Sequence, residues 1–297
     1  MIKKVKKLIR KSFHTLGYEI RNKRSVANGR QKKKKSLIFD NIFEALHFIR
    51  GGGEASFLCP LDSCVHRIGL NFASGGWHPF TETLREYTHD KSLTYEQSSL
   101  KSYYERWQPV SAYDTYIGFE DAPKKFKTLP PHLFYLTPWS SQSISQTDRR
   151  VRKWNDSDDT DHGGGGLDLD SDGFRDFGPV SLEKGELEFN RLVKIYNSIS
   201  AKGYDRSFGD IEVLVLKRGS ELRFIHKGGG YHRASAMAAL SFEMIPATFS
   251  NPWIISLDES SYWSQVRTGV WSRDQAENYF HHLFDFDSRE WADKYIL

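Results

Sequence analysis

Residues 211–249 constrain the fold more tightly than any other stretch of the chain. IEVLVLK at 211–217 is a β-branched apolar run, RGS at 218–220 has turn chemistry and ELRFIH at 221–226 is a second extended run, so together they predict a β-hairpin. KGGG at 227–230 separates that hairpin from YHRASAMAAL, whose small alanines predict a helix over about 231–241, and IPATF at 245–249 predicts a further short strand. Upstream, GELEFNRLVKIYNSISAKGY at 185–204 spaces Leu187, Leu192, Ile195 and Ile199 as a helix does, and Gly203 suits a left-handed C-terminal cap. Helices and strands mixed in this way predict an α/β (mixed α+β) fold.

The glycine run carries the first functional candidate. A helix N-terminus offers unsatisfied N–H groups and the positive end of the macrodipole, and glycines before it let a phosphate approach the backbone without meeting a Cβ. Gly228, Gly229 and Gly230 fit that description, and Tyr231, His232 and Arg233 follow on the first turn, where His232 can donate and the Arg233 fork matches phosphate oxygens. The alternative is a plain strand-to-helix turn with surface His and Arg.

The order of helix, strand, turn, strand, GGYHRASAMAAL and IPA over about residues 176–250 resembles the ParB/sulfiredoxin superfamily, a small α/β fold with a G-x-H-R or G-E-R-R motif on the first turn of a helix. In sulfiredoxins that turn reads G-G-C-H-R and carries ATP phosphates; in ParB proteins its counterpart helps to bind CTP. Gly229, Gly230, His232 and Arg233 match. Tyr231 stands where the reactive cysteine would be, so the resemblance does not extend to sulfinic-acid reduction. Sulfiredoxins also place polar ATP contacts at i, i+3 and i+7 of the preceding helix, which implies Arg191, Lys194 and Ser198 here, and Glu188 three residues before Arg191 is a candidate carboxylate for metal or proton. The resemblance therefore implies a nucleotide-binding protein taking ATP or CTP with Mg²⁺, and a kinase-type phosphotransferase as one activity, since phosphoryl transfer needs positioning and charge more than a covalent catalyst. A non-catalytic adaptor is the alternative of another class. A ParB-like DNA clamp is a third, disfavoured because the residues after 250 offer no recognition helix or basic face.

Charge divides the chain. Residues 1–35 hold fourteen of the 42 Lys and Arg and one of the 38 acids, so they carry +13 and the remainder −9. In this basic tail Ile2, Val5, Leu8, Ile9, Phe13 and Leu16 recur near helical spacing, a pattern suited to an anionic membrane surface or an acidic partner. Lysines interrupt its apolar residues, so no secretory h-region is formed, and no run reaches the length of a membrane span. The expected location is cytoplasmic, with peripheral attachment at the inner membrane face as a variant. Domain boundaries expected on composition are an aromatic-rich region at 36–139, an Asp/Gly/Ser-rich linker or loop at 140–175, the resembling domain at 176–250 and a C-terminal helical extension at 251–297.

Within the aromatic-rich region, 37–49 predicts a helix with Ile42, Phe43, Leu46 and Ile49 on one face, stopped by the glycines at 51–53, and 99–108 predicts a second. LPPHLFYLTPW at 129–139 reads as extended. Ser272 and Gln275 form a capping box ahead of an amphipathic closing helix. DLDSDG at 168–173 matches the first half of a calcium loop, making Asp168, Asp170 and Asp172 candidate metal ligands, although Pro179 occupies the position of the bidentate Glu. Cys59, Cys64, His66 and His78 could ligate zinc, but one cysteine pair in CPLDSCVH lacks the usual spacing, and buried thiols are the simpler reading. Trp77 and His78 could line an acceptor pocket or pack in a core.

Overall fold

The hairpin is the centre of the fold. In the computed structural model, which describes residues 36–227 and 230–297, β4 (Ile211–Arg218) and β5 (Glu221–His226) pair antiparallel, and Gly219 takes a φ of 57° in the turn between them. That left-handed value strains any residue with a Cβ. Ile211, Val213 and Val215 bury their branched side chains on one face, as period-2 alternation requires. After β5 the glycine loop leads into α7 (Tyr231–Ala239), which carries the chain over to β6 (Met244–Ser256), parallel to β4 on the side away from β5. The β4–β6 ladder slips between Val213 and Val215, where the β6 partners jump from Phe249 to Ile254. Pro252 lies in that excursion, where its missing N–H costs no ladder bond.

Three strands from the N-terminal part complete the sheet: β1 (Leu37–Phe39), β2 (Ala55–Pro60) and β3 (Cys64–Val65), giving the order β1-β2-β6-β4-β5-β3. β2 and β3 are four strand positions apart, roughly 19 Å in a flat sheet at about 4.8 Å per strand. Only the 3-10 turn Leu61–Ser63 joins them, and the Cys59 and Cys64 sulfurs near its two ends lie 3.5 Å apart. The sheet is therefore curled, so that β3 returns toward the end of β2. Leu61 N–H donates to Glu243 O and holds the link across the entry to β6.

The helices before β4 are α1 (Ile42–Arg50), α2 (Pro79–His89), α3 (Ser99–Arg106), α4 (Ile144–Asp161), the short α5 (Leu169–Asp172) and α6 (Leu182–Lys202). α7 packs against α2 and α6, and its small Ala234, Ser235 and Ala236, all wholly buried, allow the close approach. After β6 come α8 (Ser264–Arg267), α9 (Arg273–Asp285), begun by the expected Ser272–Gln275 capping box, and α10 (Ser288–Tyr295). From Lys35 onward the chain is one unit, and buried residues from every part of it join one core.

The mixed α+β class is as expected, and the differences are local. Residues 37–39 are strand rather than helix, pairing parallel with β2. Residues 129–139, expected to be extended, contain a 3-10 turn at Pro131–Tyr135, which proline tolerates in first-turn positions. Residues 140–175, expected as a linker or loop, hold the 18-residue α4, whose buried positions Thr147, Val151, Asn155 and Asp159 face the core. The segment 176–250 does not close its own sheet, since β2 and β3 flank it. The basic tail, with its membrane and partner expectations, lies outside the described residues. Among those described, no helix is long and apolar enough to cross a membrane.

Candidate functional site

The start of α7 differs from other helix starts in the chain. Every other described helix of eight residues or more has a side chain accepting from its first turn: Asn41, His78, Ser98, Ser143, Ser181, Ser272 and Asp287. α7 follows Gly230 with no side-chain cap, so its first N–H groups are left to another acceptor. A Cβ at position 230 would meet Ile211 Cγ2 at 2.5 Å, so only glycine lets the loop lie this close to β4. Gly228 and Gly229 lie outside the described residues.

The three side chains of the turn go separate ways. Tyr231 is buried; its hydroxyl donates to His226 O at 3.0 Å, and its ring packs on His66 with centroids 4.6 Å apart. Arg233 donates to Gly209 O at 2.5 Å and Tyr204 Oη at 3.2 Å, bracing the turn before β4. His232 Nε2 lies 2.7 Å from Glu188 Oε2.

Glu188 is wholly buried on α6 and is the node of an ion network. Its Oε1 lies 3.0 Å from Lys184 Nζ and 3.1 Å from Arg191 Nη1. Lys184 also pairs with Asp159; Arg191 continues to Asp158 at 2.9 Å, Asp158 to Arg175 at 3.3 Å, Arg175 to Asp176 at 3.5 Å and Asp176 to His66 at 3.6 Å. Burial opposes ionisation of Glu188, but the His232 hydrogen bond and the Arg191 charge outweigh it and hold the carboxyl well below its usual range. Burial and the Arg191 charge bring His232 down to about 4, so its imidazole is neutral near pH 7 and Nε2–H donates to the carboxylate.

A positive region adjoins the loop root. Arg67, on the turn after β3, is 6% exposed, and its Nη1 reaches His226 O at 3.4 Å and Tyr231 Oη at 3.5 Å. Its guanidinium lies 5.0 Å from the Tyr135 ring centroid, and that of Arg150 lies 5.3 Å from the same ring. No carboxylate among the described residues forms a salt bridge with Arg67 or Arg150. Tyr279 of α9 donates to Arg67 O at 2.7 Å and fixes the turn from behind.

Of the residues singled out in the sequence, Glu188, Arg191 and His232 meet. Lys194 and Ser198 are exposed. The buried arc of α6 has Arg191 at its border, and Ser198 and Lys194 fall roughly 20° and 60° beyond it at 100° per residue. Asp168, Asp170 and Asp172 do not converge: Asp168 caps α5, Asp170 pairs with Arg152 at 2.8 Å and Asp172 accepts from Asp168 N. The carboxylates that do converge are Asp158, Asp159 and Glu188, with oxygens within 4.8 Å of one another. Lys184, Arg175 and Arg191 already neutralise these three, so the cluster does not fit a further divalent ion.

The zinc set does not assemble either. His78 caps α2 through Nδ1, accepting from Phe80 N at 3.2 Å, His66 faces Asp176, and the two thiols are free and buried. Trp77 is core, and its backbone N–H donates to Ser288 Oγ at 2.9 Å. Arg67, Asp158, Asp159, Arg175, Asp176 and Lys184 escape a sequence reading because charged residues are taken as exposed by default. The available signal was charge set among aromatics, as in GFRDF at 173–177. No protein-family profile, curated protein or solved structure matches this chain.

Proposed function

We propose that the protein binds a nucleoside triphosphate through the β5–α7 loop, as the ParB/sulfiredoxin resemblance implies, with the phosphates on the α7 N-terminus beside Arg67. The observation that carries the reading is Arg67: a buried guanidinium without a carboxylate partner, bonded to the root of the loop. A charge buried in that way is stabilised by an anion, and an uncapped helix start lies next to it. The acidic cluster is filled by Lys184 and the arginines, so Mg²⁺ would arrive with the phosphates, which together with water commonly supply much of its coordination shell. In a kinase-type transfer His232, neutral and oriented by Glu188, is the acceptor for a hydroxyl proton. Arg233 is a brace for the 204–209 turn rather than a phosphate ligand in this reading.

Calorimetric titration with ATP, CTP and inorganic triphosphate, each with and without Mg²⁺, tests the site. Saturable binding is expected, weakened about ten- to hundredfold in Arg67→Gln, the loss of one charge-assisted hydrogen-bonding group. Equal affinity in that variant, with its melting temperature kept, or no binding by the wild type at millimolar ligand, rejects the assignment.

A second reading rests on the charge division between +13 in residues 1–35 and −9 in the rest. An adaptor that docks through its basic tail would lose retention on anionic vesicles when residues 1–35 are removed, whereas nucleotide binding would persist.

A further inference from the structure

We propose that Cys59 and Cys64 form a peroxide-reactive dithiol that closes to an intramolecular disulfide at the β2–β3 corner. The geometry carries this independently of the nucleotide reading. The sulfurs lie 3.5 Å apart and both side chains are wholly buried. An ordinary S–S bond of about 2.05 Å needs an approach of roughly 1.5 Å, within reach of small side-chain rotations. The curl of the sheet makes the pair: Cys59, next to last in β2, lies against Ile245, Cys64 begins β3 against Phe224, and the four residues between the cysteines turn the chain so that the two meet.

A third group completes the constellation. His226, two positions along β5 from the partner of Cys64, is wholly buried, stacked on Phe72 at 5.0 Å, and neither ring nitrogen has a hydrogen-bond partner at bonding distance. It lies beside the Cys64 thiol. Burial alone would raise that thiol, but donation from Cys59 and the neighbouring imidazole reverse the effect and bring it to about 6. Burial pushes Cys59 the other way, well above its ordinary value. One sulfur is thus the nucleophile and the other the resolving thiol.

The chemistry balances with hydrogen peroxide as oxidant, a molecule little larger than water. The Cys64 sulfur attacks one peroxide oxygen, the O–O bond breaks, and water leaves as Cys64 becomes a sulfenic acid. The Cys59 sulfur then attacks the Cys64 sulfur; the S–O bond breaks, the departing hydroxide takes the Cys59 proton as water, and the S–S bond forms. Two electrons pass from the thiols to the peroxide.

Intact-mass and thiol measurements on the reduced full-length protein test the proposal. After equimolar peroxide the two thiols should disappear, the mass should fall by two hydrogen atoms, and a non-reduced peptide map should join position 59 to 64 within one chain. Cys59→Ser should stop at a sulfenic acid that dimedone traps on Cys64, and Cys64→Ser should consume peroxide at least about tenfold more slowly. Survival of both thiols, sulfinic acids without a link, or a disulfide between two chains would overturn it; these wild-type readouts stand even where a variant fails to fold.

Discussion

Lys184 shows how differently a buried and an exposed charge must be treated. Its ammonium, 1% exposed, sits between Asp159 and Glu188. An exposed pair of this kind would contribute little, but removing one member of a buried set leaves uncompensated carboxylates. Lys184→Met should therefore lower stability by about 3–5 kcal/mol, measured by denaturant unfolding. A loss under about 1 kcal/mol would mean that water reaches the cluster. The sequence foretold part of this neighbourhood. Glu188, Arg191 and His232 were singled out through the glycine loop and the ParB/sulfiredoxin resemblance, whereas Lys184 and Arg67 look in a sequence like any solvated residue. Only the packing of α4 and the β3 turn turns them inward.

Most elements of residues 185–249 were legible almost to their ends, because β-branched runs, turn residues and Gly203, with its φ of 73°, each agree with their neighbours, whereas the last strand, expected at 245–249, runs on to Ser256. α4 was missed for a physical reason. Its buried stripe is Thr147, Val151, Asn155 and Asp159, so the helical repeat is present but mostly polar, and no hydrophobic periodicity announces it. α6 invites an opposite error. Gly185 lies in its first turns, where alanine should gain up to about 1 kcal/mol in helix propensity. A Cβ there would meet the buried Tyr95 ring at 2.1 Å, so Gly185→Ala should instead lose about 1–3 kcal/mol, read as a drop in melting temperature. A stabilised variant would show that the Tyr95 ring is free to move aside.

At the scale of the whole molecule, four histidines from separate elements are held in their neutral form. His66 and His78 are held below their ordinary value, each chiefly by burial, and His232 and His282 are each brought to about 4, again chiefly by burial. The unfolded chain takes up these protons near 6.5, before the native state does. For His232 and His282 the contribution is therefore complete above pH 6.5, falls between 6.5 and about 4 by about 1.4 kcal/mol per pH unit for each, and levels off below that; His66 and His78 add to the loss on the acid side of 6.5. Melting temperatures across that window should fall steeply, less so in His232→Gln; a flat profile would place water beside the rings. The strand order has a consequence in time as well as in space. Phe57 pairs with Ala247 and Cys64 with Phe224, so β2 and β3 find these partners only after most of the chain has been synthesised. Such long-range closure makes folding slow, and until β6 emerges from the ribosome β2 presents an open edge, the interval in which chaperone capture or aggregation is decided.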